Sequence, residues 1–168
     1  MLGIFSNRGK QHLRECSVAE KAVAAEYGIT LLQFQESRTS RIDGVMVNDA
    51  GQVVGIYETK SRNGNLEYDG QDPSFIFRGK GYDSMLIAAD KIDVMQSLSK
   101  NLKVSSYLIC SYSNGQIGVF KVTNPSGTLA LEGVEKKKTK TKANVNGGTA
   151  NRENYFIPLS NGTFFTKE

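Results

Sequence analysis

Histidine and cysteine are scarce in this chain: His12 stands alone, and Cys16 and Cys110 are the only thiols. So few imidazole and thiolate groups argue against a zinc site. Two cysteines cannot build a disulfide framework, so both are read as reduced packing residues. Long hydrophobic runs are also missing, and no apolar stretch approaches the ~20 residues that span a bilayer. The opening MLGIFSNRGK lacks the apolar segment of a secretory leader. The expectation is an intracellular, cytoplasmic protein with no membrane partner. No internal repeat is visible. His12 and Cys16 share helical spacing without the signature of a nucleophile pair. Gly79, Lys80 and Gly81 do not have the glycine pattern of a phosphate loop.

With 39% apolar and 23% charged residues in 168, the chain has material for one core, and 1–168 is read as a single domain. Residues 11–27 place Leu13, Cys16, Ala19, Val23 and Tyr27 along one side of a helix, with Glu20 at or near that side. Gly28 suits its stop. Residues 41–47 and 52–58 read as strands joined by the turn residues Asn48, Asp49, Ala50 and Gly51. A polar, glycine-rich loop is expected over 61–82, with a short strand near 75–77. Residues 84–88 read as a third strand. Asp90 is expected to cap a helix over 90–101 that buries Ile92, Met95 and Leu98. A second hairpin covers 104–112 and 116–122, turning at Ser113, Asn114 and Gly115. From 123 on, the expectation is a β-rich extension, with strands near 128–134 and 154–158 and a basic loop between them. The class is mixed α/β.

Charge is unevenly placed. The formal net charge is +4, and KKKTKTK at 136–142 carries five lysines, so the rest of the chain is at −1. Lys136, Lys137, Lys138, Lys140 and Lys142 suit a polyanion such as nucleic acid, or form an ordinary solvated loop; the composition leaves both open.

The strongest constellation is Asp43, Glu58 and Lys60. E-x-K alone is a poor signal, and Glu135 to Lys137 is a second instance. Glu58 and Lys60, however, end an apolar strand, VVGIYETK. Period two puts Val54, Ile56, Glu58 and Lys60 on one face, and the hairpin sets Asp43 alongside. Two carboxylates converging at a strand end make a hard oxygen site of the kind Mg²⁺ takes. A lysine two residues on can serve a bound water or a phosphate. The competing reading is an ion pair at a sheet edge.

Asp43 followed by Glu58-Thr59-Lys60 at the end of the next strand resembles the PD-(D/E)XK nuclease superfamily. The order helix–strand–strand–strand–helix–strand resembles its αβββαβ core, the restriction-endonuclease-like fold with a central mixed sheet. VAEKAVAAEYG, RIDGVMV, VVGIYETKSRN and SMLIAADKIDVMQSL are similar to the subgroup of Holliday-junction resolvases and related bacterial and phage nucleases. The resemblance covers about residues 15–122; Ile42 stands where the family name has proline, and 123–168 match nothing in it. It implies Mg²⁺-dependent hydrolysis of DNA phosphodiester bonds, with Mn²⁺ as a substitute, by a structure-specific endonuclease, in some cases a homodimer. Asp43, Glu58 and the Thr59 carbonyl would hold the metal, with Glu20 joining from the helix. Lys60 would activate water, and Lys91 would support the nucleophile or the scissile phosphate. Arg41, Ser61, Arg62 and Asn63 would contact flanking phosphates. The alternative is a non-catalytic nucleic-acid-binding module on the same fold.

Overall fold

The computed structural model describes residues 7–34, 41–68, 72–140 and 151–167. Helix α1 (Asn7–Tyr27) buries Cys16, Ala19, Glu20 and Val23, the i, i+3, i+4, i+7 stripe that points one side at a core. It starts four residues before the periodicity does, and Tyr27, expected in the stripe, is exposed and meets Phe165 edge-on. Gly28 stops the helix with φ at +62°. The chain continues through β1 (Thr30–Gln33), β2 (Gly44–Val47) and β3 (Val53–Arg62). The turn between β2 and β3 is held by Asn48, whose Oδ1 accepts the Ala50 and Gln52 amides at 3.0 Å each. Gly51 supplies its positive φ.

After β3 come β4 (Asn65–Glu67), β5 (Ser74–Phe77), β6 (Lys80–Tyr82) and β7 (Ser84–Ala88), then α2 (Ala89–Leu102). Next are β8 (Ser105–Tyr112), β9 (Gln116–Thr123), β10 (Glu135–Lys140), β11 (Asn151–Pro158), a 3₁₀ turn (Leu159–Asn161) and β12 (Gly162–Thr166). The principal sheet has six strands in the order β1-β2-β3-β8-β9-β12. β3 and β8 pair in parallel; the other neighbours in this sheet are antiparallel. The result is a mixed α/β fold on a large mixed sheet. Among the described residues no helix is long and apolar enough to cross a membrane.

The two helices cover opposite faces. Ala19 and Val23 of α1 pack with Met46, Tyr57, Ile109 and Ile117. Ile92 and Met95 of α2 pack with Leu108, Cys110, Phe120 and Val122. Leu108, Ile109 and Cys110 are consecutive and alternate between the two clusters, as strand geometry requires.

Several expectations change here. Residues 84–88 form a strand, but not one of the principal sheet: β7 pairs with β11 in a three-stranded sheet ordered β10-β11-β7. β8 has the far side of β3, and the outer place beside β2 goes to β1, whose four residues are too few to display a period. The strand expected near 75–77 is β5, but the rest of the expected loop at 61–82 gives way to the end of β3 and to β4 and β6, which pair with β5 in a small sheet whose Leu66 is buried. The basic tract is strand β10 up to Lys140 rather than a loop, paired to β11 along its length; Lys142 lies outside the described residues. Backbone pairing overrides the weak strand preference of lysine, which is tolerated at an exposed sheet edge. In place of a strand near 128–134 there is a single bridge, Thr123 to Leu129. Asp90 is in the first turn of α2 and not its cap, accepting the Lys91 amide at 2.9 Å; in that helix Ser99, not Leu98, is fully buried. The C-terminal part is built into the rest: β12 pairs with β9, and Ile157 and Leu159 join the α2-side core.

Candidate active site

β2 and β3 pair with Gly44 opposite Tyr57 and Val45 opposite Ile56. Just past the end of that register, Asp43 lies near enough to Glu58 for the two carboxylates to feel each other's charge. The Asp43 amide donates to the Tyr57 carbonyl at 3.1 Å, and its own carbonyl accepts the Phe34 amide at 2.8 Å. Asp43 Oδ2 accepts the Thr59 amide at 2.6 Å, so the side chain continues the ladder where β2 stops. Gly44 is required at this crossing, because a Cβ there would stand 2.1 Å from the Leu32 carbonyl oxygen.

Alternation along β3 then sorts the functional groups. Tyr57 packs on the α1 side, so Thr59 shares that face, while Glu58 and Lys60 share the α2 face. The contacts agree. The Thr59 hydroxyl donates to Glu20 Oε1 on α1 at 2.9 Å. Glu58 Oε1 lies 3.2 Å from Lys60 Nζ and 3.2 Å from Lys91 Nζ on α2. Lys91 Nζ also donates to the Arg41 carbonyl at 2.6 Å. Glu20 and Glu58 therefore approach the place where β2 ends beside β3 from opposite faces, with Asp43 and Thr59 between them. Asp43, Glu58 and Lys60 lie together where β2 ends beside β3, whereas Glu20 stays on the reverse face and joins them only through Thr59, so the four do not share one pocket.

Burial shapes the electrostatics. Glu20 and Glu58 are both buried, and Asp43 is half-buried. The Asp43 carboxyl is pushed up from the usual range by burial first and by the Glu58 carboxylate second, against the Thr59 amide and both lysines. Burial and the charge of Asp43 also push Glu20 up, opposed by the Thr59 hydroxyl. Cys16, deep beside these carboxylates, has its thiol pushed up to about 12 by burial, then by Asp43 and Glu20. That removes it as a nucleophile, although His12 Nε2 is only 3.6 Å from its sulfur. Glu58 Oε2 is buried with no hydrogen-bond partner, and so is the Tyr57 hydroxyl.

The flanking candidates are placed as follows. Arg41 is exposed and its carbonyl is held by Lys91. The Ser61 hydroxyl donates to Glu15 Oε2, and Arg62 Nη2 donates to the Leu86 carbonyl at 2.9 Å, so both tie β3 to its neighbours. Asn63 is exposed. Lys136 to Lys138 and Lys140 are exposed on β10, where Lys136 pairs with Glu153 at 3.5 Å and Lys137 pairs with Glu135. Sequence reasoning missed Glu15, which has no motif to announce it, and the groove of about 1100 Å³ between α2 and the β1–β2 edge. Arg41 and Lys91 stand at that groove, and Phe34, Val45, Val94 and Leu98 help line it.

Among the described residues no group of three or more His, Cys, Asp and Glu side chains is placed to hold a metal ion. A Mg²⁺ ion needs fewer, since it takes one or two carboxylates and keeps several waters. Asp43 and Glu58 supply two. Thr59 turns its amide to the Asp43 edge, and its carbonyl shares that edge because the two groups of one strand residue point the same way. The partnerless Glu58 Oε2 fits a hard cation, since a buried carboxylate oxygen left without a partner is costly.

Compared with known proteins, the chain matches no family model, no curated protein and no solved structure.

Proposed function

We propose that this chain is a divalent-cation-dependent nuclease that hydrolyses DNA phosphodiester bonds, of the PD-(D/E)XK type and structure-specific in its action. The observation that carries this reading is Glu58, near Asp43, whose buried Oε2 has no partner while its Oε1 meets two lysines. The order α1-β1-β2-β3-α2-β8, with β8 parallel to β3, supports it as the αβββαβ arrangement. The three strands are then β1, β2 and β3, and β7 is an addition to the core.

Asp43, Glu58 and the Thr59 carbonyl would hold Mg²⁺ or Mn²⁺, which supplies Lewis-acid polarisation of the phosphate and a more acidic water. The chain's own residues do the rest. Thr59 fixes Asp43 through its amide and Glu20 through its hydroxyl. Lys60, with its side chain about a third exposed, reaches from the site toward solvent, where it orients the attacking water and offsets charge at phosphorus. Lys91 neutralises the phosphate from the α2 side. Cutting both strands of a DNA calls for two such sites, hence a homodimer.

A second reading has one observation in its favour. Both lysines already close on Glu58, as in a structural ion-pair cluster, which suits a nucleic-acid-binding module without catalysis. One experiment separates the two. Labelled supercoiled, linear, single-stranded and four-way DNA are incubated with the protein in Mg²⁺ and in EDTA. Cleavage of a branched substrate in Mg²⁺ alone is expected. Retention of DNA without cleavage in Mg²⁺ or Mn²⁺ selects the binding module.

A further inference from the structure

Two ammonium groups share a single oxygen of Glu58, and its other oxygen has no partner. Asp43, Glu58 and, from the reverse face, Glu20 are already offset in large part by Lys60 and Lys91. Adding a divalent ion would leave positive charge in excess in a partly buried place. Coulomb repulsion at such separations is strong enough that one cation must leave.

The geometry selects Lys91 as the one that leaves. Lys60 is carried by β3 two residues from Glu58, on the same face, so its backbone keeps it near Glu58. Lys91 sits in the first turn of α2, where the positive end of the helix dipole disfavours a lysine. Its attachment to Glu58 is therefore what holds its charge there. Its second partner, the Arg41 carbonyl, is neutral and exposed to the groove side. Resting on the nuclease reading, we propose that Lys91 is a resident counter-cation, displaced from Glu58 by the divalent ion and handed to the DNA backbone. The site is thus latched when empty, and metal loading frees a cation for the phosphate. Metal and DNA would then bind with positive coupling, in either order.

The test measures Mn²⁺ binding without DNA, by the paramagnetic resonance signal of the free ion. Wild type is compared with Lys91→Met, Lys91→Gln and Lys100→Met. Lys100 is an exposed lysine of the last turn of α2, and its variant controls for net charge. Removing a competing unit charge should tighten Mn²⁺ by on the order of tenfold in both Lys91 variants and leave Lys100→Met unchanged. Lys91→Gln keeps a donor for the Arg41 carbonyl, so it serves should Lys91→Met fail to fold. Unchanged or weaker Mn²⁺ binding in the Lys91 variants, with wild type binding normally, overturns the latch and leaves the nuclease reading standing. No Mn²⁺ bound by any of the four proteins at millimolar ion overturns both.

Discussion

The Thr59 amide donates to Asp43 Oδ2 at 2.6 Å, which makes Asp43 an extension of the β2–β3 ladder as well as a candidate ligand. The same threonine donates its hydroxyl to Glu20 Oε1, so one residue fixes both carboxylates. Thr59→Val keeps the amide bond and removes the hydroxyl. It leaves a buried carboxylate short of a donor and should destabilise the protein by about 1–3 kcal/mol at neutral pH. The loss should shrink in acid, as Glu20 takes up a proton, and disappear in a Glu20→Ala background. Urea unfolding of the four proteins of this cycle decides it; an undiminished loss in the Glu20→Ala background would show that the hydroxyl serves something else.

Asp43 contributes, with Glu20, to the pH dependence of the site in chelator. Its carboxyl is raised above its ordinary value of 3.8, so its contribution to stability is full below that pH and is lost as pH rises through the folded value. Asp43→Asn escapes this loss. In EDTA the variant should melt above wild type at pH 7, and the difference should close as the pH falls toward 3.8. Under the proposed function Mg²⁺ should raise the melting temperature of wild type and not of the variant. Equal melting curves at both pH values would deny the electrostatic strain at Asp43.

Cys16 titrates far from its ordinary range, raised from 9.0 to about 12. Stability from the neutral thiol is present below 9.0 and is lost as pH climbs toward 12. Wild type should therefore lose more stability than Cys16→Ala over that window. At pH 8 iodoacetamide should modify Cys16 only as fast as the protein opens, and a faster reaction would mean an accessible thiolate.

Lys60→Ala tests the chemistry directly. Its side chain is about a third exposed and its ion pair is local, so the variant should fold. Under the proposed function cleavage should fall by ~10²–10⁴ in single turnover, with DNA binding retained. Asp43→Ala should lose cleavage through loss of the metal, and extra Mg²⁺ should not restore Lys60→Ala. Wild-type cutting rates in Lys60→Ala would remove the lysine from the mechanism.

The lysines of β10 have two roles to be told apart. If they bind DNA, replacement of Lys136, Lys137, Lys138 and Lys140 by Gln should flatten the salt dependence of binding by about 0.9 for each phosphate no longer neutralised. As guards of an exposed sheet edge they should instead keep the protein from associating. A fluorescence titration over salt reads the first and light scattering the second. An unchanged salt slope with new aggregation assigns the strand to edge protection alone.

Much of the candidate site was legible because it depends on short-range order. Asn48 and Gly51 set the β2–β3 turn, the turn sets the register, and the register brings Asp43 to Glu58. Period two then assigns Glu58 and Lys60 to one face. Lys91 was reachable only through the family resemblance, since α2 is distant in sequence and its landing point is a matter of packing. Glu15 with Ser61, and Arg62 with Leu86, had no signal at all, because each bond joins elements far apart in the chain.

By itself the sequence determined the pieces whose causes are local: the stripe of α1, the two hairpins, the buried side of α2 around Ile92 and Met95, and the concentration of charge at 136–142. Only the tertiary structure decided which strand edges meet. β1 rather than β7 borders β2, β12 closes the sheet beside β9, and the lysine tract becomes a strand because β11 offers it a ladder. It also decided that Glu20 and Glu58 approach Asp43 from opposite faces. The reason is physical: periodicity within a segment records which side of it is buried, whereas edge pairing follows from which backbone donors and acceptors remain open after the core has packed.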